Sequence, residues 1–304
     1  MRSFDRRTVI KGLLSGAVGA SLELHAQWHN PPPGRARLAI ASYPFRAYID
    51  APRNHDRIPG KSGMDLKAFA RIIPSKFGVS GIEPLDSHFI STESGYVHEL
   101  RAAFDAAGVR TVNIPVDEHV ELCSPDAQTR EQGFKIYRGW IDAAVILGAP
   151  SVRLHMPSFP DIQNLKVPAQ AFARVVRYAA GHNVIVDLEN DDPQTENGQR
   201  IISFIETAND PNLFALPDFG NGLMGGDEAF NAQQVTTMFR HAKNIAHVKD
   251  AESIDGKLRR VDLKQLFDIA RAANYRGYFS MESDSDADPF EDTRNLVERS
   301  LALM

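Results

Sequence analysis

Four chemistry-bearing residues stand at the ends of strand-like runs in the second half of the chain. Val184-Ile185-Val186 leads through Asp187-Leu188 to Glu189. Leu213-Phe214-Ala215-Leu216-Pro217 leads to Asp218. Ile245-Ala246 leads to His247, and Tyr278-Phe279-Ser280-Met281 to Glu282. Apolar, β-branched runs of this length read as strands buried on both faces. A carboxylate at the end of such a strand needs a partner, because burying it bare is costly. If the strands are parallel and close into a barrel, their C-terminal ends share one rim, where barrel enzymes keep their chemistry. Three carboxylates and an imidazole on one rim offer a site for a hard divalent cation.

The elements that must position these residues alternate along the chain. Strand candidates are Arg37–Tyr43, Val79–Leu85, Val109–Val116, Ser151–Met156 and the four runs above. Helical spacing or helix signals mark Met64–Phe77, Glu93–Ala107, a long helix opened by Ser124-Pro125 and running to about Leu147, and Val167–Ala180. They continue with Gln194–Asn209 behind Asp192-Pro193, Ala232–Lys243, Leu263–Ala273, and a last helix from Asp288-Pro289. Asp192 and Ser124 are expected as N-caps, and Asp262 with Gln265 as a capping box. Phe219–Phe230 reads as a Gly-rich loop. Strict alternation with right-handed crossovers gives a parallel sheet, and eight units with no spare element favour a single (β/α)8 TIM barrel over 37–304. Strand phase agrees. Ser151, Arg153 and His155 oppose Val152 and Leu154, Thr111 and Asn113 oppose Val112 and Ile114, and Ser280 and Glu282 oppose Phe279 and Met281. The polar phase is expected inside the barrel near its rim and the apolar phase against the helices.

Composition bounds the function. The chain has 304 residues, 43% of them hydrophobic and 24% charged, which suits an ordinary globular fold. A net charge of -5 without a basic block argues against nucleic acid. Cys123 is the only cysteine, so no internal disulfide forms. Residues 1–26 contain Arg6-Arg7, then Val9-Ile10-Lys11 and a weakly apolar run. That resembles a twin-arginine export signal, with cleavage after Ala20 or Ala26, and implies a periplasmic protein. The run is too short and too rich in Gly, Ser and Ala for stable membrane insertion. Residues 27–36, with three prolines, read as a linker.

The segments Leu188-Glu189-Asn190, Asp218-Phe219-Gly220-Asn221, His247-Val248-Lys249-Asp250 and Met281-Glu282-Ser283 together resemble the xylose-isomerase-like superfamily, in its sugar isomerase/epimerase branch. The resemblance implies a single-metal site of Glu189, Asp218, His247 and Glu282, holding Mn²⁺ or sometimes Mg²⁺ or Co²⁺. Three oxygen donors and one nitrogen suit the same ions. One position departs from the family pattern. Asn221 stands where many epimerases carry a substrate-binding His, and no second substrate-binding Glu is evident just beyond Glu189.

Epimerising a ketose means removing a proton beside a carbonyl, through an enediolate that a chelated metal stabilises. A carboxylate takes the proton and an acid returns it. Glu189 and Glu282, three strands apart, are the expected acid/base pair. Arg153, His155, Asn221, Lys249 and Asp250 are the substrate-contact candidates. Glu83 and Asp117 also stand where they could line the rim, and His88 and His119 read as packed or surface histidines. The acidic loop Ser283–Asp288 disfavours a phosphosugar, with Arg259 and Arg260 as the counterweight. The leading expectation is therefore a metal-dependent isomerase or epimerase of a non-phosphorylated sugar, acting alone or as a homo-oligomer. A lyase or hydratase on a keto-sugar or glycoside, and a non-catalytic exported sugar-binding barrel, are the alternatives. A DNA-repair endonuclease would want more His ligands and a basic groove.

Overall fold

The structure is a computed structural model that describes residues 30–161, 163–284 and 287–304. The expected export signal at 1–26 and residues 27–29 of the linker lie outside the described residues. The first element, a 3-10 turn at Gly34–Arg37, feeds strand β1 (Leu38–Ala41).

From there strands and helices alternate. Helix α1 (Leu66–Phe77) leads to β2 (Gly81–Glu83), and α2 (Ser94–Ala107) to β3 (Arg110–Thr111) and β4 (Ile114–Pro115). Helix α3 (Ala127–Leu147) precedes β5 (Ser151–Arg153), and α4 (Lys166–Gly181) precedes β6 (Ile185–Glu189). Helix α5 (Gly198–Ala208) precedes β7 (Leu213–Leu216), and α6 (Glu228–Phe239) precedes β8 (Ile245–Val248). A hairpin of β9 (Ala251–Ile254) and β10 (Lys257–Arg260) is followed by α7 (Leu263–Ala272), β11 (Tyr278–Met281) and α8 (Pro289–Leu303).

Two parallel sheets, ordered β3-β2-β1-β11-β8 and β4-β5-β6-β7, carry the barrel. They meet at two seams. One is the chain itself, passing from β3 to β4. The other is a parallel bridge of Asp218 with His247, in which His247 N–H donates to Pro217 O (3.0 Å) and Phe219 N–H to His247 O (3.1 Å). The seams lay out the (β/α)8 barrel expected from the alternation.

The large apolar core lies between strands and helices, with Leu38, Ile40, Val152, Val186, Leu188, Val248 and Met281 pointing outward into it. A small separate cluster of Ala39, Val112, Leu216, Ile245 and Tyr278 plugs the barrel interior, and all but Val112 share their strand phase with the inward polar residues.

Several local expectations change. The run Val109–Val116 is two short strands rather than one, because Val112 joins the interior plug while the next residue, Asn113, also turns inward to Glu83 (2.8 Å). Two inward side chains in succession break the strand's alternation. Asp192 does not cap α5. Its Oδ1 accepts from the backbone of Gln194 and Thr195, closing a turn of its own. The helix begins later, capped by Asn197. Asp126, not Ser124, caps α3, and α6 starts earlier than its apolar spacing suggests, behind the cap Asp227. Asp262 and Asp288 cap α7 and α8 as expected. The β9–β10 hairpin is an extra element. Its turn is Asp255-Gly256, both at positive φ, the short-hairpin signature.

Candidate metal centre

Parity along the strands decides which side chains reach the interior. On β6, Ile185, Asp187 and Glu189 share the inward phase, as do Ile245 and His247 on β8, with Lys249 one residue past its end. Strand β11 brings Ser280 and, one residue past its end, Glu282; the β7 seam brings Asp218. Ligand atoms of Glu189, Asp218, His247 and Glu282 all lie within 4.8 Å of one another, and all four residues are buried. His247 Nδ1 stands 2.9 Å from Glu189 Oε1, 3.2 Å from Glu282 Oε2 and 3.9 Å from Asp218 Oδ2. Asp218 Oδ1 accepts from Gly220 N and Asn221 N, both at 2.7 Å. Its Oδ2 is buried with no hydrogen bond. A desolvated oxygen left bare among other donors is what a hard cation would satisfy, so the residues present fit one.

The electrostatics follow from crowding. Burial alone would raise Glu282, but His247 and Lys249 outweigh it and hold the carboxyl down to about 2. Burial is likewise overcome at Glu189 by His247 and Arg153, leaving it below the usual range. Asp218 is pushed up to about 7, by burial first and then by Glu189 and Glu282, against the pull of Lys249. Burial opposes the charge on His247, yet Glu189, Glu282 and Glu83 hold its proton well above the ordinary range. The pocket thus gathers excess negative charge that local cations balance.

A second ring of contacts holds the first. Arg153 is buried, with Nε 2.9 Å from Glu189 Oε2 and Nη2 2.7 Å from Asp117 Oδ1. Its Nη1 lies 3.1 Å from His155 Nε2. His155 Nδ1 meets Glu196 Oε2 at 2.7 Å, and Glu196 Oε1 accepts from Met156 N (2.6 Å). His119 stacks on His155 at 4.0 Å. Lys249 Nζ donates to Asn221 Oδ1 (2.7 Å) and stands 3.6 Å from Glu282 and 3.7 Å from Asp218. Asn221 Nδ2 reaches Glu189 Oε1 at 3.2 Å.

Residues 74–304 match the family described as xylose isomerase-like TIM barrel. The chain belongs to that family. Comparison with curated proteins finds no match. Among solved structures, the D-psicose 3-epimerase of Clostridium cellulolyticum H10 with D-tagatose superposes at TM-score 0.68 and 14% identity, covering 88% of this chain and 99% of the other. The 3-keto-D-glucoside 4-epimerase of E. coli gives 0.62 and 16%, covering 88% and 99%. A xylose isomerase-like TIM barrel protein of Mycobacterium smegmatis in complex with magnesium gives 0.65 and 15%, covering 88% and 96%. At these identities the likeness establishes the fold.

Within this xylose isomerase-like barrel, most residues singled out by sequence converge on the rim: Glu189, Asp218, His247 and Glu282 with Arg153, His155, Asn221 and Lys249 around them. Asp250 does not. It lies between β8 and β9, and its carboxylate pairs with Arg260 (3.2 Å) and Arg299 (2.5 Å). Of the acidic loop after β11, Asp284 is tied to Arg46 at 2.9 Å, and Ser285 and Asp286 lie outside the described residues. Arg259, its proposed counterweight, donates to Leu223 O instead. Two further carboxylates join the site: Glu83, which sequence placed only as able to line the rim, and Glu196, which it did not single out. Glu83 ends β2 and lies 3.0 Å from His247 Nε2; the Val79-Ser80-Gly81-Ile82 segment before it carries a weaker strand signal than the other four runs. Glu196 sits beyond a turn, and only the folded loop brings it to His155.

Proposed function

We propose that this chain is a divalent-metal-dependent isomerase or epimerase of a non-phosphorylated sugar. The observation that carries the reading is the convergence of Glu189, Asp218, His247 and Glu282, from four different strand ends, with ligand atoms within 4.8 Å. The epimerase activities named for two structural neighbours support the same class. Mn²⁺ is the expected ion, with Mg²⁺ or Co²⁺ as substitutes, since the donors are three oxygens and a nitrogen. A cation held there acts as a Lewis acid on a substrate carbonyl, making the adjacent C–H acidic.

The chain supplies the proton transfers. Glu189 and Glu282 arise from strands separated by β7 and β8 and approach the barrel axis from different sides. One takes the proton from a carbon, the other returns it to the opposite face, and the centre inverts. Arg153, 2.9 Å from Glu189 Oε2, holds that carboxylate in place against the barrel wall. His155, held by Glu196, and Asn221, held by Lys249, remain as hydroxyl contacts.

A second reading is elimination from a keto-sugar or glycoside, and Lys249 favours it. Its ammonium, 3.6 Å from Glu282, could protonate a departing oxygen. Two measurements test the pair. Metal analysis of the purified protein should find about one Mn²⁺ or similar ion per chain, lost in a Glu189→Ala/His247→Ala double variant. No bound metal after incubation with Mn²⁺, Co²⁺, Mg²⁺ and Zn²⁺ overturns the mechanism and leaves a sugar-binding barrel. Product analysis on ketoses and keto-glycosides then separates mass-conserving epimerisation from release of water or an aglycone.

A further inference from the structure

The two ring nitrogens of His247 face different company. Nδ1 faces the three carboxylates of the donor group. Nε2, on the other edge of the ring, meets Glu83 Oε1 at 3.0 Å. Glu83 is fully buried and stands outside the four-donor group. The same Oε1 accepts from Asn113 Nδ2 at 2.8 Å. Asn113 is oriented in turn, because its Oδ1 accepts from Ser151 Oγ at 2.6 Å while Ser151 Oγ accepts from Asn244 Nδ2. An amide whose oxygen is claimed by a hydroxyl hydrogen must turn its nitrogen to Glu83. Residues from three segments of the barrel wall, one of them not adjacent to the other two, thus fix one carboxylate oxygen against one edge of one imidazole.

We propose that Glu83 is a positioning residue that accepts the hydrogen bond donated by His247 Nε2–H and so presents the Nδ1 lone pair to a divalent cation. The inference rests on the metal-centre reading above. A neutral imidazole ligates through one nitrogen only, and the partner of the other nitrogen selects the tautomer and ring angle. Without Glu83, nothing observed on that edge of the ring would hold the hydrogen on Nε2, and the ring would be free to turn its Nδ1 out of line. The negative charge on Glu83 also makes the ring a stronger donor.

The test uses full-length purified protein stripped of metal. Mn²⁺ is titrated in and the free ion is followed by its electron paramagnetic resonance signal. Glu83→Ala should weaken Mn²⁺ binding by about 10–100-fold. Glu83→Gln, whose amide oxygen can still accept the hydrogen, should fall between that variant and the wild type. Separately, ¹⁵N-histidine NMR of the Mg²⁺-loaded wild type should show the His247 hydrogen on Nε2. A merely structural role for Glu83 would change the melting temperature but not this tautomer. Wild-type affinity in a folded Glu83→Ala, or a hydrogen on Nδ1 in the loaded wild type, overturns the inference and leaves the metal centre standing. Failure of the wild type to bind any divalent ion overturns both. Should Glu83→Ala not fold, Glu83→Gln and the wild-type spectrum decide.

Discussion

Arg153 offers the sharpest test of how the rim is held together. Its guanidinium lies 2.9 Å from a Glu189 carboxylate that is almost fully buried, and 2.7 Å from half-exposed Asp117. At 2.9 Å and an effective dielectric of 20, the Glu189 pair is worth about 6 kcal/mol of Coulomb energy. Desolvation of both charges offsets part of that, and removing one partner of a buried pair costs about 3–5 kcal/mol. Arg153→Met keeps most of the side-chain volume and removes the charge. In a domain of this size each kcal/mol moves the melting temperature by about 2–4 °C, so the metal-free variant should melt roughly 10 °C lower. The loss should be partly recovered by metal. Without Arg153 the pocket carries one more uncompensated negative charge, so saturating Mn²⁺ should raise the variant's melting temperature more than the wild type's. Calorimetry in chelator and in excess Mn²⁺ measures both effects. A variant that melts with the wild type in chelator, and gains no more from Mn²⁺, would show that Arg153 does not neutralise Glu189.

Acid should destabilise the protein through His88. Burial holds its folded-state pKa down at about 4, and its ring bonds Ser42 Oγ at 2.7 Å. Because the folded value is depressed, this stability is present above pH 6.5 and is lost as pH falls towards 4, by about 3 kcal/mol. Urea unfolding of wild type and His88→Gln across that window should show the difference closing, and parallel curves would refute it. Gly277→Ala should be strongly destabilising, because a Cβ there would sit 2.3 Å from Asn244 O and 2.5 Å from Lys243 O, both backbone atoms. Overpacking against a rigid wall costs about 1–3 kcal/mol or more, read as a lower midpoint in chemical denaturation. Asp126→Ala should lower the unfolding midpoint, since Asp126 is the cap accepting from Thr129 N. A change within error in the same assay would show that the cap is dispensable.

The strand ends were legible because their signals are local. An apolar run that stops at a charged residue marks both a buried strand and the residue its rim must accommodate, and Glu189, Asp218, His247 and Glu282 all carry that mark. Alternation of strand and helix patterns was legible for the same reason, and it led to the (β/α)8 barrel. Helix starts were read less well. Asp192 and Ser124 have the right side chains for caps, but Asp192 is used up by a turn and Asp126 stands nearer the first turn of α3.

Other features depend on distance through space. Asp250 and Lys249 are adjacent in sequence just past β8, yet one pairs with Arg299 and the other reaches the donor cluster. Arg153 was legible as an inward polar residue, but its ion pair with Glu189 on the next strand was not. Glu83 and His247 are brought together only when the barrel closes. What the sequence determined by itself is which residue types end which strands, because burial and periodicity act along the chain. What the tertiary structure decided is which of those ends touch, which nitrogen of His247 faces which carboxylate, and how the excess charge is balanced. Those depend on strand parity and ring closure, which no local stretch encodes.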